Sequence, residues 1–170
     1  MTTHYIHRGL AKKNFKENTL SAFKYSFKKK YGIETDLQVT KDNQLICFHD
    51  FNLRRKFNLN KNVKDINYSS LKKISKKRKA TVPLLKDLLK ISKNRYPLLL
   101  EIKPLLTKLS LLSLIKLIKK TKKYGIFSFK EKNLINLYKL NKKLPLGLLF
   151  LSTSNLRIIK SKSKKSYIKF

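Results

Sequence analysis

The stretch GIETDLQV, residues 32–39, decides the fold because it is a strand pattern that carries two carboxylates among apolar residues. Successive side chains of a strand point to opposite faces, so every second residue shares a face. Apolar or small residues lie on one face and polar residues on the other: Ile33, Thr35, Leu37 and Val39 against Glu34, Asp36 and Gln38. Such a strand next to helical patterns predicts one unit of an α/β fold.

Similar short apolar runs recur in both directions from this stretch. Seven segments are predicted as strands: HYIHR (4–8), GIETDLQV (32–39), QLICFH (44–49), YPLLLEIK (96–103), YGIFSF (124–129), LPLGLLF (144–150) and SYIKF (166–170). Apolar residues at helical spacing predict helices over 18–30, near 84–92, and over 107–123 and 131–141. The polar segment 51–80 is predicted to carry one short helix, capped by Ser69 or Ser70.

This alternation predicts repeated βα units, and therefore a parallel sheet closed into a (β/α)8 barrel of the TIM type. A complete barrel usually needs about 250 residues, whereas this chain has 170. We therefore expect an α/β barrel that is shortened at its C-terminus, with about six to seven strands present, in a single domain over residues 1–170.

The charge of the chain is strongly positive, at +33 from 42 Lys and Arg against 9 Asp and Glu. A field of this sign attracts phosphate-bearing partners and anionic membranes. Most of the charge is lysine spread over nearly every segment, which is typical of a solvated surface rather than a stripe that reads nucleic acid. We therefore expect no specific nucleic-acid partner.

The single cysteine, Cys47, excludes an internal disulfide and is predicted to pack within a strand. The first residues lack the basic and then apolar pattern of a signal peptide. Lysines interrupt the apolar runs before they reach the length of a transmembrane segment. The sequence therefore predicts a cytoplasmic protein with no transmembrane segment.

Three carboxylates are candidates for a metal site. Glu34 and Asp36 share a strand face, and Glu101 follows an apolar run and shares its face with Lys103. Like charges side by side are costly unless a cation or protons neutralise them. Hard oxygen ligands with no nearby cysteine favour Mg²⁺ or Ca²⁺ over zinc.

A solvated face of an edge strand is the alternative interpretation of these acids. Acids are scarce in the chain, however, and five of the nine lie between positions 17 and 50. Random placement on the surface explains that concentration poorly.

Two histidines are candidates for acid–base chemistry. His7 and His49 each end a predicted strand, and each is followed by a charged residue, Arg8 or Asp50. Two imidazoles can divide general base and general acid work near neutral pH. The alternative for each is a core histidine with satisfied hydrogen bonds, and His4 is expected to be structural or exposed.

A family resemblance rests on motifs that occur in a fixed order. The motifs are HRG (7–9), ENTLSAF (17–23), ETD (34–36), TKDNQLICFHD (40–50), VPLLKDLL (82–89) and EIKP (101–104). With this set, the chain from about His7 to Phe150 resembles the glycerophosphodiester phosphodiesterases, a family of (β/α)8 barrels.

The resemblance implies a metal-dependent enzyme that hydrolyses glycerophosphodiesters, which are small molecules, to glycerol phosphate and an alcohol. It implies that Glu34, Asp36 and Glu101 hold Mg²⁺ or Ca²⁺, and that His7 and His49 form the acid–base pair. It further implies that Arg8 and Lys103 contact the phosphate, with Glu17 and Asp50 in supporting roles. In this chemistry the substrate's own glycerol hydroxyl attacks phosphorus, and water then opens the cyclic phosphate.

The chain departs from the family pattern in three places. The segment NLRRKFNLNKNVKD (52–65) lacks the family's glycines, and Leu84 stands where threonine is usual. No counterpart of the family's tryptophan-containing last strand follows Phe150, and the chain has no tryptophan. A barrel without its eighth strand exposes two sheet edges, so a homodimer that covers the open edge is one expected arrangement.

A second class of function stays open at this point. The alternative is a non-enzymatic basic protein that binds nucleic acid or anionic membrane through its lysines, on a degraded barrel scaffold. Attack on intact lipids would need an apolar docking surface, which the sequence does not identify.

Overall fold

The computed structural model describes residues 4–10, 16–78 and 80–150. The strands in this part of the chain are β1 (Tyr5–His7), β2 (Gly32–Val39), β3 (Leu45–Cys47), β4 (Leu98–Ile102), β5 (Tyr124–Ser128) and β6 (Leu146–Leu148). The helices are α1 (Leu20–Lys28), α2 (Arg54–Phe57), α3 (Tyr68–Lys77), α4 (Leu85–Ser92), α5 (Lys108–Ile118) and α6 (Glu131–Leu140), with a 3₁₀ turn at Val63–Asp65.

Five of these strands form a parallel sheet in the order β1-β2-β4-β5-β6. Each parallel neighbour is reached through at least one helix, as parallel connections require. The predicted βα repeats are therefore confirmed for these strands. Because parallel strands point the same way, their carboxyl ends meet at one edge of the sheet, and the chain segments that leave them lie close together.

The strand predicted from QLICFH is correct in position, but a parallel orientation is wrong for it. β3 pairs antiparallel with β2, with Leu37 opposite Cys47 and Val39 opposite Leu45. The connection from residue 40 to residue 44 is far too short for a parallel crossover, which needs about a dozen residues. β2 and β3 therefore form a hairpin.

One face of the parallel sheet packs against the helices and forms the main apolar core. Its buried members include Phe23, Ile33, Leu37, Leu88, Leu98, Leu100, Leu114, Ile126 and Leu137. Cys47 belongs to the same core and has no exposed surface. Burial raises the pKa of its thiol to about 12, so the prediction that it packs within a strand is confirmed.

The opposite face of the sheet contains a close approach between two strands. The ring of Phe127 lies against Gly147 of the neighbouring strand, where an added Cβ would lie 2.4 Å from its Cε1 atom. The same ring passes Gly125, where a Cβ would be 2.8 Å from Cε2. These two glycines leave the space that the aromatic side chain fills.

The segment 51–80 contains more helix than the sequence predicts. It carries α2, the 3₁₀ turn and α3, which bury Phe57, Val63 and Leu71 in a second apolar cluster. The proposed serine caps are wrong, because α3 already begins at Tyr68 and both Ser69 and Ser70 lie inside its first turn. Asp42, in the β2–β3 turn, accepts a hydrogen bond from the Tyr68 backbone N–H at 2.9 Å and supplies the missing acceptor.

The strand predicted from SYIKF (166–170) lies outside the described residues. Among the helices that are described, none has the length and apolar character needed to cross a bilayer.

Candidate active site

Three carboxylates meet on the inner face of the sheet. Asp36 of β2 is the direct neighbour of Glu101 of β4, and Glu34 precedes Asp36 by two residues on the same face. One oxygen from each lies within 4.8 Å of the others. The side chain of Asp36 is 1% exposed, and those of Glu101 and Glu34 are 14% and 19% exposed. The expected convergence of the three acids is present.

The charge on this cluster is unfavourable without a counterion. Burial raises the pKa of Glu34 to about 7, and the neighbouring Asp36 adds to that rise. Among the described residues, no group donates a hydrogen bond to the buried Oε1 atom of Glu34. Hard oxygen donors at this spacing suit a divalent cation of the Mg²⁺ or Ca²⁺ type. The acidic cluster therefore fits such an ion.

Two cationic side chains flank the acids. Arg8 Nε lies 3.1 Å from Asp36 Oδ2, and Lys103 Nζ lies 2.9 Å from Glu101 Oε1 and 3.6 Å from Asp36 Oδ1. The backbone N–H of Arg8 also donates to Glu34 Oε2 at 3.2 Å. An anion that enters this site would therefore meet two positive groups that the carboxylates already hold in place.

A tight turn after β1 directs Arg8 into the site. Arg8 and Gly9 both have left-handed backbone conformations, with φ of 57° and 74°. A Cβ on Gly9 would lie 2.8 Å from the ring of Phe23 and 3.2 Å from Ala22, so glycine is required on both conformational and steric grounds. The HRG motif thus combines a strand end with a turn that returns the arginine towards β2.

Asn18 is a structural member of the site that is absent from the residues predicted from the sequence. Its Nδ2 donates to Asp36 Oδ2 at 3.0 Å, and its Oδ1 accepts from Thr35 Oγ1 at 2.7 Å. The Asn18 backbone N–H donates to the Arg8 carbonyl at 2.8 Å. Its place between Glu17 and Thr19 in the ENT motif was the available signal.

The two candidate histidines occupy different positions. His7 is the last residue of β1, its side chain is 70% exposed, and its Nε2 lies 3.9 Å from Glu34 Oε2. His49 lies two residues beyond the antiparallel β3, and its carbonyl accepts from Gln38 Nε2 at 3.2 Å. His7 therefore ends a parallel strand, as predicted, whereas His49 follows a strand that runs back along β2.

Asp50 orients His49 within the site. Its Oδ1 lies 2.7 Å from His49 Nδ1, so with the proton on Nδ1 the Nε2 atom is left for chemistry. Burial opposes the charge on Asp50, but hydrogen bonds from Arg55 and His49 outweigh it and hold the pKa of this carboxyl below its usual range.

Arg55 connects the two histidine-bearing segments, and the sequence does not predict this role. Its Nε lies 2.7 Å from Asp50 Oδ2, and its guanidinium also donates to Glu17 Oε1 at 2.8 Å. Glu17 in turn accepts from Arg8 Nη1 at 3.2 Å. Burial opposes the charge on Glu17 as well, but Arg55 and Arg8 hold its pKa below the usual range. The two supporting acids therefore form one ion-pair network.

Lys56 is another residue near the site that the sequence does not predict, because nothing in the sequence distinguishes it from the other lysines. Its ammonium donates to the Glu17 carbonyl at 3.2 Å and lies 5.5 Å from the centre of the Phe48 ring. Burial lowers its pKa to about 8. It therefore fastens the segment after His49 to the segment after β1.

The fold and this site define a class, the α/β barrels that carry a carboxylate cluster and cationic groups where their parallel strands end. Comparison with known families narrows the class. The family model described as the Glycerophosphoryl diester phosphodiesterase family matches residues 7–168. The chain belongs to this family, as the motif order implied.

Curated relatives match over part of their length. A glycerophosphodiester phosphodiesterase of Bacillus altitudinis is 36% identical over 110 residues, which cover 60% of this chain and 44% of that protein. A lysophospholipase D of Homo sapiens is 39% identical over 72 residues, which cover 42% of this chain and 23% of that protein. The matched part is less than half the length of these relatives.

Solved structures show the same fold. A glycerophosphodiester phosphodiesterase from Thermotoga maritima superposes with a TM-score of 0.82 at 22% identity, over 99% of this chain and 72% of that chain. A phosphodiesterase from Oleispira antarctica, in complex with the product sn-glycerol-3-phosphate, superposes with a TM-score of 0.77 at 19% identity, over 95% and 72% of the two chains. The predicted barrel fold of the TIM type is confirmed, and the chain spans 72% of the length of each of these two structures.

Proposed function

We propose that this chain is a metal-dependent phosphodiesterase that hydrolyses glycerophosphodiesters to glycerol phosphate and an alcohol. The observation that carries the proposal is the meeting of Glu34, Asp36 and Glu101 between the cations Arg8 and Lys103. The family match and the names of the relatives support the same substrate class.

The three carboxylates would hold the divalent cation, and we propose Mg²⁺ or Ca²⁺. The unpartnered Oε1 of Glu34 and the all-oxygen donor set support a hard ion. Such an ion supplies charge stabilisation to phosphoryl oxygens. Without it, the raised pKa of Glu34 leaves this carboxyl partly protonated near neutral pH.

Arg8 and Lys103 would contact the non-bridging oxygens of the phosphodiester. Both cations are already held by Asp36, at 3.1 Å and 3.6 Å, so little reorganisation is needed when the substrate binds. Arg8 offers further planar N–H donors that suit a phosphate.

His7 and His49 would exchange protons with the substrate. One imidazole takes the proton of the substrate's glycerol hydroxyl as that oxygen attacks phosphorus, and the other donates a proton to the departing alcohol. In the second step the roles reverse, as water adds to phosphorus and opens the cyclic phosphate. Asp50 keeps His49 oriented during both steps.

The test is an assay of the purified chain on glycerophosphocholine and glycerophosphoethanolamine. Release of glycerol phosphate should disappear with a chelator and return with Mg²⁺ or Ca²⁺. Glu34→Gln, His7→Gln and His49→Gln should each lower turnover by about 100-fold or more. Glu131→Gln in α6 and His4→Gln serve as matched controls and should leave turnover unchanged. Turnover that survives the chelator and Glu34→Gln would overturn the proposal.

A second candidate is a non-enzymatic basic protein, which the net charge of +33 favours. It predicts salt-sensitive retention on DNA or anionic lipid with no release of glycerol phosphate, and the same retention in Glu34→Gln. The assay above separates the two candidates, because only an enzyme depends on that carboxylate.

We also propose a homodimer through the ends of the sheet. In the described part of the chain, β1 and β6 each pair with a single strand. Sedimentation velocity at several protein concentrations tests this arrangement, and a species that stays monomeric throughout contradicts it.

A further inference from the structure

Exposed apolar side chains follow the strand ends at the opening of the candidate active site. Phe51 lies two residues after His49, Leu105 lies two residues after Lys103, and Phe129 directly follows β5. Their exposed fractions are 54% for Phe51, 54% for Leu105 and 42% for Phe129, and Leu109 in the first turn of α5 is 63% exposed. We call these four residues the apolar rim.

The rim lies at one end of the barrel because of the topology. β4 and β5 are parallel, so the segments that follow them leave the sheet on the same side, which is the side of the candidate active site. The segment after His49 joins the same side through the ion pairs of Arg55 with Asp50 and Glu17. Four exposed apolar side chains from three separate segments therefore lie on the side of the sheet where the candidate active site is.

Positive charge accompanies the rim. The segments 49–56, 103–109 and 129–132 contain seven Lys and Arg residues against two acids. Two of the seven, Arg55 and Lys103, are already ion-paired with carboxylates. Arg54, Lys108 and Lys130 are exposed and lie within three residues of a rim side chain. One of the two acids, Asp50, is ion-paired with Arg55.

We propose that the apolar rim docks this chain on an anionic lipid surface, with the active-site opening turned towards the bilayer. Isolated Phe and Leu side chains beside Lys and Arg suit the boundary between headgroups and acyl chains, where the apolar groups insert and the cations meet anionic headgroups. The positive charge of the rim segments is what favours an anionic bilayer over a protein partner. The reason for docking rests on the proposed function, because a lipid-derived phosphodiester would then enter the site directly from the membrane.

The absence of tryptophan from the chain makes a direct test available. Phe51→Trp and Phe129→Trp each introduce a single reporter on the rim, and Leu140→Trp is the matched control. Leu140 is 39% exposed and is the last residue of α6, where the chain returns towards the start of β6. Each variant is mixed with vesicles of phosphatidylcholine, or of phosphatidylcholine with phosphatidylglycerol, that carry brominated acyl chains as quenchers.

The expected result is quenching and a blue shift of the rim reporters on the anionic vesicles, with no quenching of the Leu140→Trp reporter. In vesicle co-sedimentation, Leu109→Ser should weaken partition about tenfold, because one exposed leucine no longer enters the lipid. Leu140→Ser should leave the partition unchanged.

Several results would overturn the proposal. Binding without quenching of the rim reporters means that lysines alone hold the vesicle. Rim reporters that are already blue-shifted without lipid mean that another part of the chain or a second copy covers the rim. Quenching of all three reporters alike means that there is no preferred docking face.

The two proposals can fail separately. Turnover of water-soluble glycerophosphocholine should be the same in Leu109→Ser and in the unmodified chain, because the rim is not part of the catalytic machinery. Vesicle docking without turnover would reject the proposed enzyme and keep the docking surface. Turnover without docking would reject the docking surface and keep the proposed enzyme.

Discussion

Glu34 has an environment that suits an ion better than it suits a free carboxylate. Its side chain is largely buried beside Asp36, and its pKa rises to about 7 for these reasons. A raised carboxyl pKa costs folding free energy once the pH exceeds the value in the unfolded chain. In the folded protein without a metal ion, the ionised form of Glu34 is therefore destabilising.

The first prediction concerns Glu34→Gln in the presence of a chelator. Below pH 4.5, Glu34 is protonated in both the folded and the unfolded chain, so its raised pKa costs no stability. As the pH rises from 4.5 to about 7 the unfolded chain loses this proton first, and the free energy of unfolding falls. At pH 8 the variant should therefore exceed the unmodified chain by about 3 kcal/mol in the free energy of unfolding. Urea unfolding at pH 4 and pH 8 measures the difference, which should nearly vanish at pH 4.

Added divalent cation provides the control for this prediction. Only the unmodified chain gains stability from binding the ion through Glu34, so the order of the two proteins should reverse. An order that is the same with and without the cation would contradict the assignment of Glu34 as a ligand.

The site was predictable from the sequence where alternation and scarcity coincide. Glu34 and Asp36 stand out because acids are rare, and the pairing of Asp36 with Glu101 follows from placing both strands in one parallel sheet. Arg55 and Lys56 were not predictable, because 42 Lys and Arg residues offer no contrast and only tertiary contacts distinguish these two.

At the scale of elements, the direction of β3 is the main point that alternation could not give. A strand pattern is the same whichever way the strand runs, so alternation alone places QLICFH in the parallel series. Connection length carried the missing information, since residues 40–44 allow only a hairpin. The helices of segment 51–80 were obscured for another reason, because their polar sequence hides the few buried residues such as Phe57 and Leu71.

The second prediction concerns the contact between β5 and β6. Gly147→Ala places a Cβ 2.4 Å from Cε1 and 2.6 Å from Cδ1 of Phe127, so the ring must move. We expect a loss of about 1–3 kcal/mol in the free energy of unfolding. In a double-mutant cycle measured by urea unfolding, Gly147→Ala should cost less in the Phe127→Leu background than in the unmodified chain. Equal losses in the two backgrounds would mean that the contact with the Phe127 ring is not the source of the loss.

The third prediction concerns the ion-pair network of Arg55. The pKa values of Asp50 and Glu17 lie below their usual range, so their contribution is present above that range and is lost as the pH falls through the lowered values. Arg55→Gln should cost about 1 kcal/mol at pH 7, since the guanidinium is largely exposed and water screens it. The cost should shrink towards zero at about pH 2.

Arg54→Gln is the matched control for the network, because Arg54 is the exposed neighbour on the same helix. Urea unfolding of both variants at neutral and acid pH gives the comparison. Equal losses for the two arginines would show that general charge, and not the network, accounts for the effect.

At the scale of the whole molecule, the dominant property is the net charge of +33. Like charges repel within a compact chain, and salt screens that repulsion over about 8–10 Å at moderate ionic strength. The stability of this protein should therefore depend on salt more than that of a neutral barrel.

The fourth prediction follows from this repulsion. The midpoint of thermal unfolding should rise as sodium chloride is added at constant pH, because screening relieves the folded state. Low concentrations of guanidinium chloride should give a similar initial rise, whereas urea, which carries no charge, should lower the midpoint from the first addition. A steady fall in sodium chloride would mean that favourable ion pairs outweigh the repulsion.

The buried thiol of Cys47 does not interfere with the labelling of cysteines introduced elsewhere. Its thiol is enclosed between β2 and the helices and stays protonated at any pH used for maleimide or nitroxide chemistry. Pairs of cysteines introduced on the surface can thus be spin-labelled without removing the native one. Electron–electron distances across the opening would then report how its segments move as ligands come and go.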